Sequence, residues 1–444
     1  MVNSRVVSFL AGALSLLGGS VSVEAASKGG IRANPSNGHW VDTWASMPQL
    51  VEPANLPPAP FNESGAVWVN STLRQTLHMT VGASQIRLTI SNAFGATNLP
   101  ITAVTVALPF NNSAGVSAIQ TKTLKKVTFS GRESISIPNG GLAVSDPIDF
   151  AVKPMANVAV TMYLKDGQKG NAITGHPGSR TTSWMQRGNA VEAGNLTDSS
   201  VMGTAHWYFL SSISAWTHPQ TTNLAIVGDS ITDGRGSTTD ANNRWPDLLL
   251  ARLQKSPLTS YIAIANQAAG GNRILADGLG PSALSRIERD VLSHPNVGYA
   301  MIFEGVNDIG TADATTAAQD DVYTSLIQAY QQMVSRIHAY GIPVFGATIT
   351  PFSAPSNFTG QPYSKPEREV TRQKVNKWIR ESGVFDGVVD FDAVVRNKNI
   401  PSQLDPRYDS GDYLHPNVAG YTKMAEEFPV GLFARWRGGA DEFM

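Results

Sequence analysis

The 444-residue chain contains no cysteine. Disulfides, thiolate zinc sites, iron–sulfur clusters and a cysteine nucleophile are therefore excluded. A dominant charge is lacking too, with 34 Lys and Arg against 35 Asp and Glu and a formal net charge of −1. That balance argues against a nucleic-acid binder, whose affinity rests on many phosphate contacts. Past the N-terminus no run reaches the roughly 18 consecutive apolar residues of a spanning helix, and no internal repeat or low-complexity tract is evident. What the chain does hold is 42% hydrophobic and only 16% charged residues, enough apolar mass for buried cores. Its length exceeds that of one common domain and suggests two. The 40 Gly and 26 Pro call for many turns.

The N-terminus carries Arg5, an apolar stretch from Val6 to Val23, and small residues around Ala25. This is the pattern of a secretory signal peptide over residues 1–25, cleaved after Ala25. Gly12, Gly18, Gly19 and the interspersed serines make the stretch weak as a membrane anchor, so the mature chain is expected to be extracellular and without a membrane span. Five Asn-x-Ser/Thr sequons, at Asn62, Asn70, Asn111, Asn195 and Asn357, are compatible with N-glycans.

Two periodicities divide the remainder. From Trp44 to Trp216 apolar residues alternate, as in Leu73, Leu77, Met79 and Val81, then Ile86, Leu88 and Ile90, then Val158, Val160 and Met162. One apolar face per strand predicts half-buried antiparallel strands and an all-β sandwich or jelly-roll-like domain over 26–218. After Pro219 short apolar runs at 223–227, 261–265, 299–303, 342–349 and 384–389 alternate with helical patterns at 245–253, 282–292, 316–340, 367–382 and 418–433. This predicts an α/β domain over 219–444 with a parallel, doubly wound sheet, whose chemistry belongs beyond the carboxyl ends of the strands.

There the first strand ends in Gly228-Asp229-Ser230-Ile231. A serine between a buried strand and a helix lies near free N–H groups and a positive dipole end, although an ordinary N-cap serine looks the same. Serine needs a base, and the base needs an acid that holds its tautomer. Of the eight histidines only His415 has a carboxylate three residues upstream, in Asp412-Tyr413-Leu414-His415. His78 reads as the polar face of a strand, His294 as a loop residue and His338 as the exposed side of a helix. Gly270-Gly271-Asn272 and Gly305-Val306-Asn307-Asp308 follow the second and third strands and can offer amides to the same spot; singly, such patterns are a turn and a helix cap.

Together these four blocks resemble the SGNH hydrolases of the GDSL type, over about 210 residues and in family order. Ile231 stands where that family often has Leu. The preceding β half resembles the β-domain of some secreted members. The resemblance implies a flavodoxin-like three-layer α/β/α fold and ester hydrolysis through an acyl-enzyme. It implies Ser230 as nucleophile, His415 as base and Asp412 as its acid. The oxyanion hole would comprise the Ser230 N–H, the Gly271 N–H (Gly270 being the alternative) and the Asn307 amide. Asp308 would have an ordering role or cap a helix. No cofactor or metal is implied.

An α/β-hydrolase elbow of the form Gly-x-Ser-x-Gly is missing, as are His-Glu-x-x-His and Gly-x-Gly-x-x-Gly after the first strand. The expected substrate is a small-molecule or glycan ester, with a short acyl group such as acetyl on a carbohydrate. A lipase or general acylhydrolase is the competitor, with segment 352–366 a candidate wall of the acyl pocket. A carbohydrate-binding protein on an inactive scaffold, using Trp44, Trp68 or Trp207 as exposed platforms, is the reading from another class; core packing is their simpler role.

Overall fold

In the computed structural model, which describes residues 37–63 and 65–440, the strands before residue 218 pair only antiparallel. The signal peptide expected over 1–25 lies outside the described residues. One sheet joins His39–Ala45, Leu210–Thr217, Ala83–Ser91 and Leu142–Val144, with Ile148–Val152 also on Ala83–Ser91. The other is ordered Met202–Thr204, Ser183–Arg187, Ser71–His78, Asn157–Leu164, Ala103–Ala107 and Lys125–Val127. Ile86, Leu88 and Ile90 from the first meet Leu73, Leu77, Val158, Val160 and Met162 from the second in one apolar core, as a sandwich requires.

The expected half-burial fails at Ser71–His78, where all eight residues are buried. On the outer side Arg74 donates to Thr161 Oγ1 at 2.8 Å and to the Ala193 carbonyl at 2.8 Å, so loops cover that face. His78 sits 3.5 Å from Asp247 of the second half. The tryptophans considered as platforms are core residues: Trp44, Trp68 and Trp207 are all buried.

The second half holds five parallel strands, β1 Thr222–Gly228, β2 Ile262–Ala268, β3 Val297–Phe303, β4 Val344–Ala347 and β5 Gly387–Val389. Their order is β2-β1-β3-β4-β5, the flavodoxin-like arrangement. Helices connect them: α1 Ser230–Asp233, α2 Trp245–Leu253, α3 Ala283–Ile287, α4 Val306–Thr311, α5 Thr316–His338, α6 Pro366–Glu381, α7 Phe391–Val395, α8 Val418–Glu427 and α9 Gly431–Arg435. The helix expected through 292 is α3 followed by a π turn at Glu288–Leu292. The helix expected at 418–433 is broken after Glu427, because Pro429 has no N–H for the ladder and clashes with the preceding turn. Leu326, Tyr330, Met333 and Ile337 of α5 bury one stripe against the sheet, in a core shared with Trp245, Phe303 and Phe345.

The two halves pack together as one compact unit. Strand His39–Ala45 lies along β2, and the Ile264 N–H reaches Thr80 Oγ1 at 3.3 Å. Among the described residues no helix is long and apolar enough to cross a membrane.

Candidate active site

The loops after β1, β2 and β3 and the loop before α8 converge at the carboxyl edge of the parallel sheet. After β1 the chain turns at once into α1. Asp229, not Ser230, caps this helix, accepting the Ile231 N–H at 2.9 Å. Burial, reinforced by Asp308 and Asp233, pushes the Asp229 carboxyl up to about 7. Ser230 is thus the first helical residue, its N–H without an intrahelical acceptor and its hydroxyl free of capping duty.

That hydroxyl meets His415 Nε2 at 2.8 Å. His415 Nδ1 lies 2.7 Å from Asp412 Oδ2, which places the proton on Nδ1 and leaves the Nε2 lone pair facing Ser230. Asp412 Oδ1 accepts the Leu414 and His415 N–H groups at 3.0 and 2.8 Å, so the whole turn is wound around one carboxylate. Burial opposes its charge, yet the His415 ring and these N–H groups hold it well below the usual carboxylate range. His415 is pulled below its ordinary value, by burial first, against the opposing pull of Asp412, with Arg235 and Arg180 adding to the decrease.

Gly270 and Gly271 separate in the structure. The Gly270 N–H is taken by Asp233 Oδ2 at 3.0 Å, whereas the Gly271 N–H has no acceptor among the described residues. Gly271 has φ +72°, and a Cβ there would fall 2.5 Å from Leu279, so only glycine suits the position. Asn307, on α4, donates from Nδ2 to the Asn272 carbonyl at 2.8 Å and accepts the Tyr363 hydroxyl on Oδ1 at 2.9 Å. A carbonyl can only accept, so the amide orientation is unambiguous and the second Nδ2 hydrogen remains for a ligand. Asp308 does not cap its helix. Its carboxylate accepts the Ile274 and Leu275 N–H groups, both at 2.9 Å, and so holds the loop that follows Gly271.

Two organisers had little signal in the sequence. Arg286 is buried and donates to the Gln267 carbonyl at 2.6 Å, to Asn272 Oδ1 at 2.9 Å and to Asp290 at 3.0 Å, joining the end of β2 to the glycine turn. Its spacing to Asp290 was the only hint. Beside it Glu304 has no hydrogen-bond partner among the described residues for either carboxylate oxygen, and burial pushes its carboxyl up to about 8. Tyr363 belongs to the segment 352–366 considered as a pocket wall. That segment bridges the site, because Tyr363 reaches Asn307 while the Phe358 ring packs edge-on against Tyr413 at 4.8 Å.

The sequence distinguished His415 by its nearby aspartate, but the fold gives other histidines carboxylate partners. His176 meets Asp233 at 2.8 Å, His338 meets Asp386 at 2.7 Å, and His294 pairs with Asp42. His78 does end a strand and His294 does lie in a loop, but His338 is half-buried rather than exposed, and each of the three faces an aspartate supplied by a distant segment. What sets His415 apart is the serine on its other nitrogen.

Residues 224–428 match the family model described as GDSL-like Lipase/Acylhydrolase. This part of the chain is a GDSL-type hydrolase domain. As a class, the GDSL-type domain is a carboxylic ester hydrolase. Among solved structures, a GDSL-like lipase from Bacteroides thetaiotaomicron is 17% identical with a TM-score of 0.35, over 49% of this chain and 91% of its own. An acetylxylan esterase from Geobacillus stearothermophilus, solved as a catalytic mutant, is 20% identical with a TM-score of 0.34, over 48% of this chain and 94% of its own. No curated protein sequence matches the chain.

Proposed function

We propose that the protein is an exported serine esterase that hydrolyses carboxylic esters through an acyl-enzyme. The observation that carries this reading is the unbroken chain Ser230 Oγ–His415 Nε2 at 2.8 Å and His415 Nδ1–Asp412 at 2.7 Å. Ser230 Oγ attacks the acyl carbon as His415 takes its proton. His415 then delivers that proton to the departing alcohol, and Asp412 stabilises the imidazolium formed between the two steps. Water, deprotonated by the same imidazole, releases the acid and restores the serine. The oxyanion is held by the N–H groups of Ser230 and Gly271 and by Asn307 Nδ2, each such donor typically worth about 3 kcal/mol.

For the substrate we propose a short acyl group, such as acetyl, on a carbohydrate. The exposed Arg235 side chain lies 4.0 Å from Asp412, a charged rim that suits a hydrophilic ester. The longer-chain acylhydrolase reading has its own support in Leu279, 49% exposed and packed over Gly271, and in the Phe358–Tyr413 edge. The inactive-scaffold reading has lost its platforms to the core. Export rests on the N-terminal pattern and is compatible with sequons at Asn70, Asn111, Asn195 and Asn357, which are exposed; Asn62 is half-buried.

The test is hydrolysis of p-nitrophenyl esters. Wild type is expected to cleave the acetate ester, to lose rate beyond about eight carbons, and to be labelled at Ser230 by a phosphonate. Ser230→Ala is expected to be inert, and full turnover in that variant overturns the mechanism. Faster cleavage of the long-chain esters overturns the acetyl assignment alone.

A further inference from the structure

His176 ends the strand Thr174–His176 of the β half, yet its partner is the helix that carries the nucleophile. The ring is buried. Nε2 lies 2.8 Å from Asp233 Oδ1, and Nδ1 lies 3.0 Å from the Met47 carbonyl. Both nitrogens are engaged by oxygen atoms, so the ring is fixed in plane, with Trp207 stacked on it at 5.8 Å. Asp233 is one turn beyond Ser230 on α1 and fully buried. Its other oxygen, Oδ2, accepts the Gly270 N–H at 3.0 Å. The approach is possible only because residue 178 is glycine, since a Cβ there would fall 1.6 Å from Asp233 Oδ2.

We propose that His176 is a positioning residue of the esterase centre: through Asp233 it clamps the Gly270 amide, and so aims the next N–H, that of Gly271, at the oxyanion. On this view the β half is part of the catalytic scaffold and supplies the far end of a His176–Asp233–Gly270 relay. The proposal rests on the reading of Ser230 as nucleophile and of Gly271 as an oxyanion donor. A free carboxylate at 233 would hold the turn less firmly, because nothing else among the described residues binds the Gly270 N–H. Displacement of a catalytic group by about 1 Å can cost on the order of a hundredfold in rate.

The experiment uses the full chain and three variants, each checked for a cooperative melt. His176→Phe removes the donor to Asp233, Gly178→Ala pushes the carboxylate aside while sparing His176, and His294→Gln disrupts a comparable histidine–aspartate pair of the same interface. His176→Phe and Gly178→Ala are expected to lower kcat on p-nitrophenyl acetate about tenfold to a hundredfold with KM within about twofold. Affinity for a trifluoromethyl ketone, which forms a tetrahedral adduct with the serine, is expected to fall by the same factor. His294→Gln is expected to melt earlier with unchanged kcat. If His176→Phe does not fold, Gly178→Ala decides by the same readouts. Wild-type kcat and ketone affinity in the deciding variant, or an equal kcat loss in His294→Gln, overturns the relay. An active Ser230→Ala protein overturns instead the esterase reading beneath it.

Discussion

The hydroxyl of Tyr363 donates to Asn307 Oδ1 at 2.9 Å, so a loop entering α6 sets the orientation of an amide that follows β3. The contact is close packed: a Cβ on Gly310 would fall 2.3 Å from the Tyr363 ring. Burial raises the Tyr363 hydroxyl above its ordinary value, so it stays a neutral donor across the working pH range.

Tyr363→Phe keeps the ring and removes only that donor. With one anchor left, to the Asn272 carbonyl, the Asn307 amide is held less firmly. The expected outcome is a kcat loss of about tenfold with KM nearly unchanged, whereas Asn307→Ala should cost on the order of a hundredfold or more. Steady-state kinetics on a single p-nitrophenyl ester separates the two, and a wild-type kcat for Tyr363→Phe would show that the hydroxyl is dispensable.

The pH dependence follows from His415, which must be neutral to accept the serine proton. Burial lowers its pKa, so the acid limb of kcat/KM is expected below the ordinary histidine value of about 6.5. Arg180 contributes to that decrease. Arg180→Gln should therefore move the limb to higher pH, and a limb that moves to lower pH would contradict the assignment. Asp412→Asn removes the acceptor that sets the tautomer, and should reduce kcat by about 10⁴-fold.

Stability should respond to pH at the boundary between the halves. His294 is buried, which by itself would lower its pKa, but Asp42 raises it above the ordinary value. The folded pKa exceeds the unfolded one, so this pair contributes fully below the unfolded pKa. The contribution fades as pH rises through the folded value. His294→Gln should cost about 3 kcal/mol at mildly acid pH and less at alkaline pH, read as the gap between wild-type and variant melting curves. A gap that widens with rising pH would reverse the sign and exclude the ion pair.

Much of the second half was legible because local periodicity encodes it. The run Trp245–Leu253 is helical as its pattern predicts, with Pro246 in the first turn, and the apolar stripe of α5 faces the sheet. Gly228-Asp229-Ser230, Asn307 and Asp412-x-x-His415 each lie at a carboxyl-edge loop, where a doubly wound sheet collects its chemistry. Arg286, Tyr363 and His176 were not legible, because one polar residue in an ordinary setting has no periodicity to betray its partner. The double burial of Ser71–His78 escaped for a related reason: alternation reports which residues are apolar, not whether another element covers the polar side.

From sequence alone follow the two architectures, the order of the parallel strands along the chain, and a short roster of residues able to do chemistry; these depend on spacing between near neighbours. Only the folded chain decides which histidine meets the serine, which glycine keeps a free N–H, and that the β half reaches the nucleophile helix. Ser230 and His415 are 185 residues apart, and their 2.8 Å contact depends on how whole layers pack. Burial and hydrogen-bond satisfaction across such distances are properties of the assembled core, and no local pattern carries them.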